Sequence, residues 1–499
     1  MIALGIDSGT QSTKTIALDL ESGEILAAAS KPYGMIEGLP PGHLEQDPQV
    51  WLDAVDATVR ECLAKLGDKK QQVKAIGVSG QQHGFVPLDK KNKPIRPAKL
   101  WCDTSTIDQC KQFEAEFDGS EGLIELAGNA ILPGYTAPKI LWLKQNEPKN
   151  YKALDAVLLP HDYINFYLTG ERAMEFGDAS GTGLMDVRTR KWCEPLVEFI
   201  DPDLAEYLPT PASSRRALGL LRDSLRQAWG LDNAPVVSPG GGDNMMGAIG
   251  TGNVQAGVVT VSLGTSGTVY AFAAEPVIDP EGEIAAFCDS TDRWLPLACT
   301  MNVTVATEQI RKMFGWSHEQ LEQQIASTPA GAGGLVFLPY LNGERTPNLP
   351  RGTGVYHGLN TENMDAANMA RATMEGATLG LAYGLARFRE LGIEPAEIRL
   401  TGGGSKSAIW RQMCADIFGV PTVCLQSAEG AALGAAVQGA FAWHAANGQP
   451  TTFRELCGRI VKLDLSTRAE PNEDYREVYA QLLSRQGDLT RRLHTAGYL

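Results

Sequence analysis

A chain of 499 residues is too long for a single core and predicts two domains. Its composition, 43% hydrophobic and 21% charged, is that of an ordinary globular protein, and a formal net charge of −15 with no Lys/Arg run argues against nucleic acid or an anionic membrane as partner. Nine scattered cysteines with no Cys-x-x-Cys pair fit reduced thiols, not a disulfide or zinc framework, and Cys102 and Cys110 read as structural. Met1 leads straight into a strand, and the longest apolar run, around Ala431 to Trp443, is short and interrupted by Gln438. No secretion signal or membrane span is read, and a cytoplasmic protein is expected.

In chain order, Ile2 to Ile6 reads as a strand, Asp7 to Thr13 as a polar turn, Lys14 to Leu20 as an alternating second strand and Ile25 to Ala29 as a third. One reading is a plain hairpin with a hydroxyl-rich loop. The other is a phosphate loop, with N–H and hydroxyl groups offered to phosphate oxygens and Asp7 offering a hard oxygen to Mg²⁺. Glu45-Gln46-Asp47-Pro48 opens a helix with Trp51, Val55 and Val59 on one face. Val73 to Val78 is a buried strand ending in Ser79-Gly80-Gln81-Gln82-His83-Gly84, and ligands gather where strands end in α/β sheets. His83 reads as a hydrogen-bonded structural histidine or as a ligand to substrate. Leu100-Trp101-Cys102-Asp103 is the next strand end, with Asp103 either a substrate ligand or an exposed turn residue. The clusters Arg188 to Arg190 and Arg215-Arg216 are expected to be solvated.

Pro235-Val236-Val237 is a buried strand, followed by Gly240-Gly241-Gly242-Asp243-Asn244 and a small, apolar helix start at Met245 to Ile249. Three glycines let a backbone approach a ligand closely, and they leave Asp243 among the orphan N–H groups of a helix N-terminus. The carboxylate is a plain N-cap or a catalytic group. The first hairpin then recurs as Val258 to Leu263, Gly264-Thr265-Ser266-Gly267 and Thr268 to Ala273. Gly9-Thr10 aligns with Gly264-Thr265, and Asp7 falls opposite Ser262. This is a repeat at domain scale, with the carboxylate on the first side alone. Asn363 to Leu391 reads as one long helix with Gly376, Gly380 and Gly384 on one face. Each such glycine costs ~1 kcal/mol against Ala in a helix interior, so three together imply close backbone packing. Ile398-Arg399-Leu400 runs into Thr401-Gly402-Gly403-Gly404-Ser405, where flat adenosine can lie on the backbone with the next helix N-terminus facing the phosphates. Glu429 to Ala436 is a small-residue helix. Asn472 caps a final helix carrying Tyr475, Val478, Tyr479, Leu482 and Leu483 on a face that docks on the domains or on a second copy in a homodimer.

Asp7-Ser8-Gly9-Thr10, Ser262 to Thr268 and Thr401 to Ser405 resemble the two phosphate motifs and the adenosine motif of the actin–hexokinase–heat-shock ATPase superfamily. Gly241-Gly242-Asp243-Asn244, Thr136 to Trp142, and Gly354 to Leu359 running on to Glu375 narrow the resemblance to the FGGY carbohydrate kinases, in the right order over nearly the whole chain. The resemblance implies an α/β fold of two ribonuclease H-like domains with a cleft between them. Residues 1–247 would form the sugar and Mg-phosphate side, 248–445 the adenosine side and 446–499 a helical extension. It implies ATP-dependent phosphorylation of a sugar, with Asp243 as general base and Gln82, His83, Asp103, Asp243 and Asn244 on the sugar. Gly9, Thr10, Gln11, Ser12, Thr13, Gly264, Thr265, Ser266, Gly402, Gly403, Gly404 and Ser405 would hold ATP, and Asp7 the Mg²⁺. Gly-Gln-Gln-His-Gly at 80–84 resembles the segment that holds the ketose in xylulose-phosphorylating members. The implied substrate is therefore a pentulose, D-xylulose foremost, with L-ribulose, D-ribulose and glycerol as alternatives.

Ser105 is a departure, since many members carry Arg there in Trp-x-Asp-x-Arg. Leu158 to Tyr163 and Gly177 to Thr182 resemble segments near the sugar, and read equally as a helix start and a Gly-rich turn. Two other classes are weighed. A heat-shock chaperone needs a peptide-binding domain, and only about sixty residues follow Ala440. A non-catalytic sugar sensor should have lost Asp7 or Asp243, and both are present. Closure of the halves about the small-residue segments near Gly247 and Gly434 is expected.

Overall fold

The computed structural model describes all residues, 1–499. Its first sheet is built from β1 (Ile2–Ser8), β2 (Ser12–Asp19), β3 (Ile25–Pro32), β4 (Val73–Gly80) and β5 (Val236–Val237). The spatial order is β3-β2-β1-β4-β5, antiparallel from β3 to β1 and parallel from β1 to β5. The second sheet uses β6 (Val258–Leu263), β7 (Gly267–Ala271), β8 (Trp294–Thr300), β9 (Glu397–Thr401) and β10 (Thr422–Leu425). Its order, β8-β7-β6-β9-β10, repeats the first in connectivity and sense. The hairpin repeat read in the sequence is therefore a repeat of whole ribonuclease H-like sheets.

Helix α1 (Pro48–Leu66) starts where expected: the Asp47 carboxylate accepts from Gln49 N, and Pro48 needs no donor at this position. Trp51, Val55 and Val59 are buried with Leu4, Ile6 and Ile76 in the core of the first sheet. Helices α2 (Asp243–Gly250), α3 (Ala366–Glu390), α4 (Ala408–Phe418), α5 (Gly430–Ala446), α6 (Phe453–Ile460) and α7 (Arg476–Thr495) follow. None of the helices is long and apolar enough to cross a membrane.

The small-residue segments cross backbone on backbone. A Cβ on Gly434 would stand 1.8 Å from Met246 O, and one on Gly250 1.7 Å from Gly430 O. On α3, Gly376 meets Phe337 O at 2.4 Å and Gly384 meets Ala298 Cβ at 2.9 Å, but Gly380 finds nothing nearer than Pro339 at 4.0 Å. Two of the three glycines on that face are thus required by packing, and the third is not.

The expected extension over 446–499 is not one piece. Helices α5 and α6 pack on the first sheet, where Leu433, Phe441, Phe453 and Leu456 cluster with Ala3, Ile16, Leu18 and Ala75. Strand β11 (Leu463–Ala469) adds to the edge of the second sheet beside β10. Helix α7 packs on the second half: Arg371 Nη2 donates to the Tyr479 hydroxyl at 2.9 Å, and Gln486 Nε2 donates to Phe337 O and Gly376 O at 3.0 Å. The amphipathic face that could have served a dimer is used within the chain.

A second bridge joins the halves. The hairpin from Ala285 to Thr300 lies against the first half, with Asn129 paired to both backbone groups of Ala286, Cys288 N donating to Ser180 Oγ at 2.9 Å and Trp294 Nε1 to Val187 O at 2.9 Å. Arg190, expected to be solvated, lies over the Trp294 ring at 4.2 Å in this contact. A flat guanidinium stacks well on indole, which draws it out of water. Arg215 and Arg216 are exposed as expected.

Candidate active site at the strand ends

Strand pairing brings the acidic residues together. Asp7 is opposite Ser79, and the short strand Gly241–Gly242 pairs with Ser79 and Gly80 at the same end of β4. Asp7 and Asp243 therefore flank one strand terminus. Ser79 Oγ donates to Asp7 Oδ1 at 2.8 Å. Gly242, not Asp243, is the cap of α2; Asp243 is its first residue and accepts only from Asn244, through N at 2.9 Å and Nδ2 at 3.3 Å. The plain N-cap reading is thereby excluded. Burial first, then the nearby charges of Asp7 and Asp178, push the Asp243 carboxyl up to about 7. Burial also pushes Asp7 up to about 6, against the pull of Ser79 and Lys14.

The glycine run serves packing rather than ligand access. A Cβ on Gly240 would meet Val78 O at 2.6 Å, on Gly241 Ser290 Oγ at 2.3 Å and on Gly242 Gln82 Cγ at 2.5 Å. Gln82 accepts from Asn244 Nδ2, so two sequence-read sugar residues lie in contact beside Asp243.

His83 has a left-handed backbone, φ 58°. Its ring stands over Gly181, where a Cβ would be 1.9 Å from Cε1, and packs edge-on to Tyr135 at 5.2 Å. Nδ1 is 3.1 Å from Asp178 Oδ1; Asp178 Oδ2 is 3.2 Å from His161 Nδ1; His161 Nε2 is 2.9 Å from Asp162 Oδ1. The ring contacts are bent away from linear hydrogen bonds. Burial lowers the pKa of His83. At His161 burial is outweighed by Asp162 and Asp178, which hold it well above its ordinary value, and Asp178 is drawn down to about 2 by both histidines despite burial. A neutral His83 with Asp178 on Nδ1 presents Nε2 as an acceptor.

Asp103 fits neither reading made for it. It is fully buried, and its oxygens are taken by Leu44 N at 2.9 Å, Ser105 N at 3.0 Å, Ser105 Oγ at 2.5 Å and Lys99 Nζ at 3.2 Å. A carboxylate so saturated has no lone pair left for a sugar hydroxyl. Ser105 is thus a partner of Asp103, and the nearby cation is Lys99, whose ammonium also sits 4.0 Å from the Trp142 ring.

The two phosphate loops differ from expectation in detail. Gly9 N donates to Ser12 O at 3.0 Å, and Thr13 is fully buried with its hydroxyl turned to Ser8 Oγ at 3.1 Å, because position 13 faces inward on β2. Neither the Gly9 N–H nor the Thr13 hydroxyl is available. Thr10 and Gln11 keep N–H groups without a partner in the chain. Thr10 is held by Trp101 Nε1 on its hydroxyl at 3.0 Å and by Gln46 Nε2 on its carbonyl at 2.7 Å. Across the cleft, Gly264 O and Thr265 O accept from Thr304 N and Val303 N, while the N–H groups of Gly264, Thr265 and Ser266 are unpaired. In the adenosine turn, Gly402 (φ 83°) and Gly404 are pressed on Leu263, and Gly403 alone faces open space. Ser405 Oγ donates to Gly402 O at 2.8 Å. A 3₁₀ turn, Gly403–Lys406, precedes α4, whose start is capped by Ser407, so no helix begins directly after the glycines.

Several residues that sequence reading passed over line the same cleft. Tyr135 and Phe287 box the His83 ring. Lys139 is buried and donates to His83 O at 2.9 Å, and burial lowers its pKa to about 7. It stood within the Thr136 to Trp142 segment without being singled out. Arg345 had no sequence signal at all. A surface hollow of about 400 Å³ lined by Ser213, Arg215, Asp292 and Phe441 contains none of these groups.

Residues 2–250 match the N-terminal domain and residues 259–443 the C-terminal domain of the FGGY family of carbohydrate kinases. The chain is 40% identical over 496 residues to the xylulose kinase of Haemophilus influenzae, covering 97% of this chain and 99% of that one. It is 37% identical over 421 residues to the xylulose kinase of Escherichia coli, covering 83% and 84%. A crystal structure described as a xyloylose kinase from Brucella ovis superposes with a TM-score of 0.92 at 30% identity, covering 99% of this chain and 100% of that one. The chain belongs to the FGGY family of carbohydrate kinases.

Proposed function

We propose that this kinase transfers the γ-phosphoryl group of ATP to a pentulose, D-xylulose foremost, giving D-xylulose 5-phosphate, with Asp243 as general base. The observation that carries the reading is Asp243 itself: a carboxylate at the head of α2, bonded only to Asn244, beside Asp7 and held near neutrality. The xylulose kinases among the relatives favour the ketose over glycerol.

The reacting hydroxyl gives its proton to Asp243 as it attacks phosphorus in line. A base whose pKa lies near working pH suits this task, because it is ionised yet still basic. Phosphoryl transfer is driven mainly by positioning and by neutralising charge. The unpaired N–H groups of Thr10 and Gln11 on one wall, and of Gly264, Thr265 and Ser266 on the other, are placed to take phosphate oxygens. Gly402 to Ser405 would hold adenosine, with Gly403 the open position. Gln82, His83 and Asn244 would hold the sugar. Asp7 keeps one oxygen free of protein donors next to a second carboxylate, a donor set that fits a hard divalent cation. Mg²⁺ there would offset charge on the phosphate oxygens. A cytoplasmic place, and a division into a sugar half and an adenosine half near residue 247, belong to the same reading.

ADP release measured across D-xylulose, D-ribulose, L-ribulose and glycerol, with the product identified by ³¹P NMR, tests it. Preference for D-xylulose with phosphate on its terminal hydroxyl is expected. Preference for glycerol, or no sugar-dependent release, would overturn it.

A further inference from the structure

Arg345 is a cation without an anion. It lies on the loop after the strand Val336–Pro339, in the second half. Both flanks of the loop are anchored: Asn302 Nδ2 donates to Gly343 O at 2.7 Å, Glu344 Oε1 accepts from Met301 N at 2.6 Å, and Thr346 Oγ1 donates to Glu283 O at 3.1 Å. The guanidinium pairs with no carboxylate. Its contacts are the Trp101 ring at 5.6 Å, across the cleft, and Cys299 Sγ at 4.0 Å. Other part-buried arginines outside ion pairs, such as Arg190, Arg222 and Arg411, donate to backbone carbonyls, and Arg345 does not. A partly desolvated guanidinium with five donors, no oxygen acceptor and a thiol sulfur as its one weak partner is costly to keep unless something else enters the site.

The acceptor it lacks fits a sugar. Trp101 belongs to the first half and holds Thr10 of the phosphate loop. Arg345 therefore enters from the second half and meets the first at Trp101, whereas His83 belongs to the first half and packs on Tyr135 there. We propose that Arg345 is a sugar-binding residue supplied by the second half, donating to ketose oxygens while His83 accepts from a ketose hydroxyl. One side chain then reads oxygen acceptors and the other hydroxyl donors, from opposite sides of the cleft. Because Arg345 reaches the first half through Trp101, sugar binding draws on both halves before ATP arrives.

This rests on the ketose-kinase reading of the site, and the test separates the two. D-xylulose binding to nucleotide-free protein is measured by calorimetry for the wild type, Arg345→Lys, Arg345→Gln and Arg345→Ala, alongside the KM values for sugar and ATP. Loss of the charged guanidinium fork should weaken sugar binding roughly tenfold or more in the Gln and Ala variants, less in the Lys variant, with the KM for ATP changed by less than about twofold. Melting temperatures near that of the wild type identify the variants that fold, and the Lys and Gln variants carry the test if Ala does not. Unchanged sugar affinity with a raised KM for ATP or a lower kcat would assign Arg345 to the phosphoryl group and overturn the proposal. Unchanged values throughout would overturn it as well. A wild type that binds and phosphorylates no pentulose would instead defeat the reading of the site.

Discussion

Asp243, the proposed base, shows how environment can shift a common carboxyl toward neutral pH. An exposed carboxylate has a pKa near ~4 and is a weak base at neutral pH. Burial beside Asp7 and Asp178 raises Asp243 to about 7. The base works deprotonated, so kcat/KM should fall as pH drops below about 7, along an acidic limb to which Asp7, raised to about 6 beside it, also contributes. A profile flat from pH about 5 to 8 would remove a carboxyl of this pKa from the rate equation. Asp7→Asn keeps the hydrogen bond from Ser79 but removes the charge, so its Mg²⁺ titration should move to higher concentration; an unmoved titration would separate Asp7 from the metal. His83→Ala should raise the KM for pentulose far more than that for ATP, and equal changes would mark a structural histidine. The gathering of Asp7 and Asp243 at one strand terminus, with His83 just beyond it, was legible in the residues, because all three stand at strand ends in recognisable phrases. Asp103 was not, because saturation by Leu44, Ser105 and Lys99 depends on contacts that no local pattern carries. The segments of His161 and Asp178 were read as resembling ones near the sugar, but the contacts that join the two side chains behind His83 were not.

At the scale of elements, the glycines make a test with opposite signs. A Cβ at Gly434 would stand 1.8 Å from Met246 O, so Gly434→Ala must push α2 and α5 apart. Such overpacking costs typically ~1–3 kcal/mol, and a main-chain clash lies at the upper end. Gly380 has room, so Gly380→Ala should stabilise by up to ~1 kcal/mol through helix propensity. Denaturant midpoints of the two variants measure both; a stabilising Gly434→Ala would contradict the crossing. The sequence pattern placed all three glycines of α3 on one face but could not say which of them meet a neighbour. That answer lies in Phe337 and Ala298, distant in the chain. The terminal segment makes the same point: an apolar face marks α7, with Asn472 capping the 3₁₀ turn that leads into it, but nothing local shows that α6 returns to the first sheet while β11 joins the second.

Over the whole molecule, the two sheets share one connectivity, and Trp101 of the first half meets Arg345 of the second across the cleft. The halves are joined at the α2–α5 crossing and again where the Ala285–Thr300 hairpin meets the first half. Two attachments restrict closure to rotation about the line through both, a smaller motion than one hinge would allow. Small-angle scattering should therefore show a modest fall in radius of gyration when sugar and an ATP analogue bind, and no fall would favour a preformed site. The most direct measurement is D-xylulose-dependent ADP release by the wild type and Asp243→Ala. The wild type should turn over, and the variant should lose ~10²–10⁴-fold in kcat while still binding ATP. Near-wild-type turnover by the variant, or a wild type indifferent to D-xylulose, would contradict the assignment of Asp243 as the base of a pentulose kinase.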